Sequence, residues 1–251
     1  MRSQRRPLVI AIDGPASSGK SSVAKGVARE LGFEYIDTGA MYRAITWAVL
    51  RGGIDLADQD AIGRCATQTA PELEWSVDPN HPSMHVSGTD VTSAIRESDV
   101  TSAVSAVSAV PATRAALVER QREAVAAAVA QQRGVVMEGR DIGTVVLPQA
   151  DLKVWLYADP LVRAARRAAE DVAAGRLSQA GVQELADELA RRDHADSTRA
   201  DSPTRQAADA VPVDATQLTL PQVIATVVRL VEDRRPESQT TGVRDDSKDL
   251  L

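Results

Sequence analysis

Short apolar runs alternate with amphipathic stretches along most of this chain. Leu8–Ile12 is a brief apolar run suited to a buried parallel strand over 8–13. Val23, Ala24, Val27, Ala28 and Leu31 then recur on one face of a helix over about 20–31, and Gly32 stops it. Phe33–Ile36 reads as a second strand. Asp37, Thr38 and Gly39 form a turn with helix-capping chemistry, and a helix from about 40 to 51 turns Met41, Ile45, Ala48 and Val49 inward. After a weak helix around 58–68 the period changes. Leu73, Trp75 and Val77 alternate, residues 78–82 turn, and Met84 and Val86 alternate again. This predicts a hairpin over 72–92 inserted into a β–α order, with Gly88 and Thr89 leading to a third short strand or a helix start.

Residues 97–110 are rich in Ser, Ala and Val and read as helical until Pro111 breaks the run. A longer helix over about 112–132 carries Leu117, Val118, Val125, Ala128 and Val129 in one stripe. Strands are predicted at 135–137, 152–157 and 210–213. A helical region starts at Asp159 and Pro160, breaks between Gly175 and Gly181, and continues to Arg191–Asp193. A polar stretch over 194–208 follows, and a closing helix over 219–233 holds Val223, Val227, Val228 and Val231. Residues 1–7 read as a flexible arm, and 234–251, polar and aperiodic, as a disordered tail. Five strands alternating with helices predict an α/β fold, a parallel sheet covered on both faces, within one domain over 8–233. Its ligands should gather at the carboxyl ends of the strands.

Composition narrows the function. In 251 residues aromatics make up 3%, too few for a platform on which single-stranded nucleic acid could stack. The net charge of −6 confines any anion site to a local cluster. The single Cys65 excludes an internal disulfide or a multi-cysteine zinc site, and Pro82 interrupts the helical spacing of His81 and His85. No signal peptide or membrane span is apparent, so a cytoplasmic location is expected.

The strongest chemical signal lies between the first strand and the first helix. Gly14, Pro15, Ala16, Ser17, Ser18, Gly19, Lys20 and Ser21 fit the phosphate-binding loop pattern G-x-x-x-x-G-K-[ST], with a strand before and a helix after. Glycines let successive N–H groups point inward, making an anion nest at a helix N-terminus. Lys20 is expected to bridge the β- and γ-phosphates and the Ser21 hydroxyl to hold Mg²⁺, with Ser17, Ser18 and Ser22 along the loop. No guanine-reading element occurs, and no long apolar strand ends in an Asp-Glu pair. Instead arginines and aspartates recur after strands or at helix ends: Asp37, Arg43, Arg114, Arg140, Asp141, Arg192, Asp196 and Arg199. A second anionic substrate would need such a set, since guanidinium forks grip phosphate and carboxylates suit ribose hydroxyls or a base amine. Solvated helix arginines and surface ion pairs are the plainer reading of Arg43, Arg114, Arg163, Arg166, Arg167 and the 192–199 stretch.

Together these motifs are specific. Ile12–Lys20, Asp37–Arg43, Gly139–Val146, the stretch Arg192–Arg199 and Ser202–Pro203 resemble, in order and spacing, the bacterial cytidylate kinases, P-loop nucleoside monophosphate kinases of the adenylate kinase-like fold. The resemblance covers about 8–232. It implies a small β-containing monophosphate-binding insertion at about 68–105 and a short helical lid at about 159–192. It also implies transfer of the γ-phosphoryl of ATP to CMP or dCMP, with Mg²⁺, by a monomer; the few aromatics, the acidic charge balance and the lack of a membrane span predict no nucleic-acid or membrane partner. By the same resemblance Thr38, where the family often has Ser, and Arg43 contact CMP, with Arg43 on its phosphate. Ser105, Arg114 and Asp141 read the cytosine edge, and Arg140 holds the acceptor phosphate. Asp196 takes ribose hydroxyls, with Arg192 and Arg199 nearby. Arg163 and Arg167 close over ATP, and Lys20, Arg140, Arg192 and Arg199 supply the catalytic positive field. The alternatives are a kinase of another small acceptor, such as a different nucleoside monophosphate or shikimate, and a switch protein that hydrolyses ATP slowly.

Overall fold

The computed structural model describes residues 6–173, 175 and 181–234. Residues 1–5 of the expected arm and 235–251 of the expected tail lie outside the described residues. Five parallel strands form the main sheet: β1 (Val9–Asp13), β2 (Glu34–Asp37), β6 (Val135–Gly139), β7 (Leu152–Tyr157) and β8 (Val211–Asp214), in the order β2-β6-β1-β7-β8. Successive side chains feed opposite layers, as the pleat dictates. Ile10, Ile12 and Val136 pack under α1 (Lys20–Leu31) and α8 (Leu220–Glu232). Ala11, Val135 and Met137 face the other layer, made by α2 (Thr38–Arg51), α3 (Gln59–Thr69), α4 (Ser98–Ala109) and α5 (Pro111–Ala130). Gly26 is the contact point of α1 with α8, where an added Cβ would meet Ile224 Cδ1 at 2.2 Å.

The hairpin becomes a three-stranded antiparallel sheet of β3 (Leu73–Trp75), β4 (Met84–Val86) and β5 (Thr89–Asp90). It is tied to the edge of the main sheet, because Tyr35 N–H on β2 donates to Val77 O at 2.9 Å. Two more helices, α6 (Pro160–Ala173) and α7 (Val182–Ser197), pack through Ala164, Leu185, Ala186 and Leu189 against Ala16 of the phosphate loop.

Several boundaries differ from the periodicity, each for a physical reason. Pro111 starts α5 rather than only ending the preceding run, since proline at the first helical position loses no hydrogen bond. β6 continues through Glu138 and Gly139 because β1 and β2 flank it, pairing Asp13 with Gly139 and Asp37 with Glu138. α7 runs on to Ser197, so Arg192 and Asp196 lie one turn apart on one face. Residues Ile142–Val146 form a π-helical turn that periodicity did not announce.

Candidate active site

The phosphate loop sits where β1 meets α1. Gly14 tolerates no side chain there, since a Cβ would lie 2.0 Å from Leu156 O on β7. Gly19 caps α1 in the left-handed region (φ 94°), and Ser17 also has a positive φ of 56°. Lys20 is buried, and its Nζ donates to Pro15 O at 2.7 Å. Burial, and then Arg140, push its ammonium below the ordinary lysine range, while Glu138 and Asp13 pull it back.

Three parallel strands end in carboxylates beside this loop: β1 in Asp13, β2 in Asp37, and β6 in Glu138 just before its last residue. Ser21 Oγ donates to Glu138 Oε1 at 2.5 Å, and Tyr35 OH donates to the same oxygen at 3.2 Å. Asp37 caps α2 through Ala40 N–H at 2.9 Å. Asp13 accepts the N–H groups of Ile142 and Gly143, each at 2.7 Å, which ties the segment after Arg140 and Asp141 to the phosphate-loop strand. Burial raises the Asp13 carboxyl to about 6 despite those two bonds. Asp13 and Glu138 were not singled out from sequence. Their signal is that neighbouring strands end in acids, which becomes visible only once the strand order is known.

Across the cleft, side chains arrive from five separate elements or the loops beside them. Thr38 Oγ1 donates to Glu138 O at 2.8 Å. Arg43 Nη1 donates to Thr101 Oγ1 at 2.8 Å and Ile95 O at 3.2 Å, and burial with Arg192 and Arg96 nearby lowers its pKa to about 10. Arg114 is buried, not solvated. It forms an ion pair with Asp141 and lies over the Tyr42 ring, 5.4 Å from its centroid. Arg140 Nε donates to Asp196 Oδ2 at 3.1 Å and its Nη1 to Gly14 O at 2.8 Å, and Arg199 Nη1 lies 3.8 Å from Asp196 Oδ1. The Nε atoms of Arg192 and Arg199 and the hydroxyl of Tyr42 are buried without a hydrogen-bond partner among the described residues. Such orphans suit an incoming anion or polar edge.

One cavity joins the two halves. It is lined on the loop side by Ala16, Ser17, Gly19, Lys20, Ser21 and Ser22. On the far side stand Thr38, Arg43, Ser105, Arg114, Arg140, Asp141, Arg192, Asp196 and Arg199, and Arg167 reaches the cavity from α6. Tyr42, Arg96 and Glu138 line it too, though the sequence had not marked them. Gly14, Pro15 and the buried Ser18 are not among the lining residues. Arg163 is not among the lining residues. It is buried, with Nη1 donating to Ala16 O at 2.9 Å and to Asp193 Oδ2 at 2.5 Å. Arg167, which does reach the cavity, donates to Asp171 at 3.0 Å.

This set of groups suits a hard divalent cation carried in on phosphates. Ser21 and Glu138 offer a hydroxyl and a carboxylate at one point. Among the described residues no group of three or more His, Cys, Asp or Glu could cage a metal unaided. Mg²⁺ prefers that arrangement, one or two protein oxygens with substrate phosphates supplying the rest.

The model of the family described as "Cytidylate kinase" matches residues 10–233. A cytidylate kinase of Streptomyces avermitilis is 50% identical over 228 residues, which is 91% of this chain and 94% of that protein. One of Mycobacterium leprae is 51% identical over 230 residues, 90% of this chain and 96% of that protein. A solved structure of an uncharacterized protein from Eubacterium ventriosum aligns with a TM-score of 0.50 at 9% identity, covering 90% of this chain and 98% of that one, a likeness of fold alone. The match runs from the first strand through the last helix and takes in every element that builds the cavity, so the chain belongs to the cytidylate kinase family.

Proposed function

We propose that this chain transfers the γ-phosphoryl group of ATP to CMP and dCMP, giving ADP with CDP or dCDP. The observation that carries the reading is the continuous cavity. It has a triphosphate nest at one end and the buried Arg114–Asp141 pair, with Ser105, at the other. A buried Arg–Asp pair presents donors and acceptors in a fixed plane, which suits the edge of a pyrimidine. Arg43, Arg140 and Arg192 stand between the ends, in position for the acceptor phosphate, and Asp196 beside Arg140 and Arg199 suits ribose hydroxyls.

The chemistry asks mainly for placement and charge. A monophosphate oxygen is already ionised near neutral pH and attacks the γ-phosphorus in line, so no strong general base is required. Negative charge spreads over the transferred group in the transition state. Lys20 and the arginines of the cleft are oriented beforehand to meet it, and groups held in a partly dehydrated site stabilise such charge strongly. Ser21, backed by Glu138, would hold Mg²⁺, which when bound neutralises phosphate charge. Arg167 would close on the donor from α6, and the small antiparallel sheet would cover the monophosphate. The same reading makes the enzyme a cytoplasmic monomer that works on small molecules. No described helix is long and apolar enough to cross a membrane.

The test is ADP release with ATP and Mg²⁺, offering CMP, dCMP, UMP, AMP, GMP and shikimate separately. Turnover confined to CMP and dCMP, and relaxed by Asp141→Ala, is the expected result. Equal turnover with AMP or shikimate would remove the cytosine assignment. ADP release without any acceptor would indicate a hydrolysing switch instead. Sedimentation of the active enzyme would check the monomer.

A further inference from the structure

An anion nest has an outer side. When the N–H groups of a loop point inward, its carbonyls point outward and need donors of their own. Here cations meet them, two from the cavity lining (Arg140 and Lys20) and two from outside it (Arg163 and Arg166). Gly14 O accepts from Arg140 at 2.8 Å, Pro15 O from Lys20 at 2.7 Å, Ala16 O from Arg163 at 2.9 Å, and Ser18 O from Arg166 at 3.4 Å. Ala16 is held most completely. Its N–H donates to Asp193 Oδ1 at 2.8 Å, while Asp193 Oδ2 accepts from the same Arg163 that caps its carbonyl. One ion pair, joining α6 to α7, therefore clamps both backbone polar groups of a single loop residue, and with them the two peptides on either side of it. The next residue, Ser17, holds a left-handed backbone that a non-glycine residue adopts only when its surroundings impose it.

From this geometry we infer that Arg163 and Asp193 are positioning residues for the donor site. They lock the phosphate loop from behind through Ala16 and set triphosphate affinity without touching the nucleotide. The inference rests on the ATP reading above. It also gives Arg163 a different task from Arg167, one helical turn further along, which does face the cavity. The pair is neutral as a unit, so it shapes the loop without adding a net field. α7 also presents Arg192 and Asp196 to the acceptor side, so the clamp ties the donor loop to the helix that carries acceptor contacts.

That neutrality supplies the test. Arg163→Gln leaves an extra negative charge behind the triphosphate, whereas Asp193→Asn leaves an extra positive one. If Arg163 gripped ATP directly, freeing it from Asp193 would maintain or raise affinity. If it acts through Ala16, both variants weaken binding. Calorimetric titration of wild type, Arg163→Gln, Asp193→Asn and the double variant would use a non-hydrolysable ATP analogue, inorganic tripolyphosphate and CMP as probes, with Mg²⁺ present. We expect about a tenfold loss for the analogue and for tripolyphosphate in each single variant, and no further loss in the double. CMP should stay within about twofold. Arg163→Lys, which keeps the charge but loses the fork, should fall between, and it serves with Asp193→Glu if the larger changes do not fold. Unchanged or tighter triphosphate binding in Asp193→Asn would overturn the inference, as would equal losses for CMP and tripolyphosphate. If the wild type itself binds neither the analogue nor tripolyphosphate, it is the ATP reading that fails.

Discussion

The two ends of the cavity are built on different principles. On the proposed reading of the cavity, its donor end is backbone. Its contacts come from consecutive residues of one loop, and its anion affinity is a property of peptide geometry. The acceptor end is side chains, drawn from α2, α4, α5, the segment after β6, and α7 with the residues after it, and held by ion pairs such as Arg114–Asp141 and Arg140–Asp196. A backbone site is robust to most substitutions and tolerant of what the phosphate is attached to. A side-chain site is specific but depends on each partner being present, because a buried charge without its counter-charge is costly. The comparison predicts that donor-side variants lose catalysis with little change of specificity, and acceptor-side variants lose stability or specificity first.

The largest effect should come from Lys20→Ala. Removing the one side-chain cation within the loop should lower kcat/KM by about 10³-fold or more, equally for CMP and dCMP. Steady-state kinetics with both acceptors would check this, and unequal loss would show that the donor end takes part in acceptor choice. Arg114→Leu comes next. It strands Asp141 in a buried position, and urea unfolding should show a loss of about 3–5 kcal/mol. Arg114→Leu combined with Asp141→Leu should recover most of that stability while activity stays lost, which separates the cost of a broken pair from the function of an intact one.

Asp13 joins the two ends, and its effect is smaller but carries a sign. Its folded carboxyl lies near 6, above its ordinary value of 3.8, so the folded protein binds this proton more tightly than the unfolded chain. Stability from this group therefore rises as pH falls through about 6, and the gain levels off near 3.8, where the unfolded chain also takes up the proton. Between pH 7 and pH 5 the wild type should gain about 1 kcal/mol relative to Asp13→Asn in denaturant titrations. Phosphoryl transfer should move the opposite way over the same range. A protonated Asp13 is a poorer acceptor for the Ile142 and Gly143 N–H groups that hold the Arg140–Asp141 segment. A parallel change of stability and activity would contradict this account. The smallest effect belongs to a control outside the cavity lining. Asp58 caps α3 through Ala61 N–H at 2.8 Å, with the same local geometry as Asp37 on α2. Asp58→Ala should cost about 1 kcal/mol and leave kcat/KM unchanged.

Much of this was legible in the order of residues. A strand, a glycine-rich loop and a helix are local events, decided by steric preference and hydrophobic period within about 25 residues. The phosphate loop, the five core strands and the inserted hairpin could be read from them. The recurring arginines and aspartates could be recognised as a set because their spacing resembles a known family. Their pairing could not be read. Arg114 looks the same in sequence whether it is solvated or buried on Asp141, and Arg163 the same whether it faces a nucleotide or Ala16. Asp13 and Glu138 became site residues only when the strand order β2-β6-β1 brought the acidic ends of neighbouring strands together. Local pattern follows from each residue's own geometry. The partner of a buried charge depends on which distant segments the fold packs beside it, so tertiary structure alone decided it.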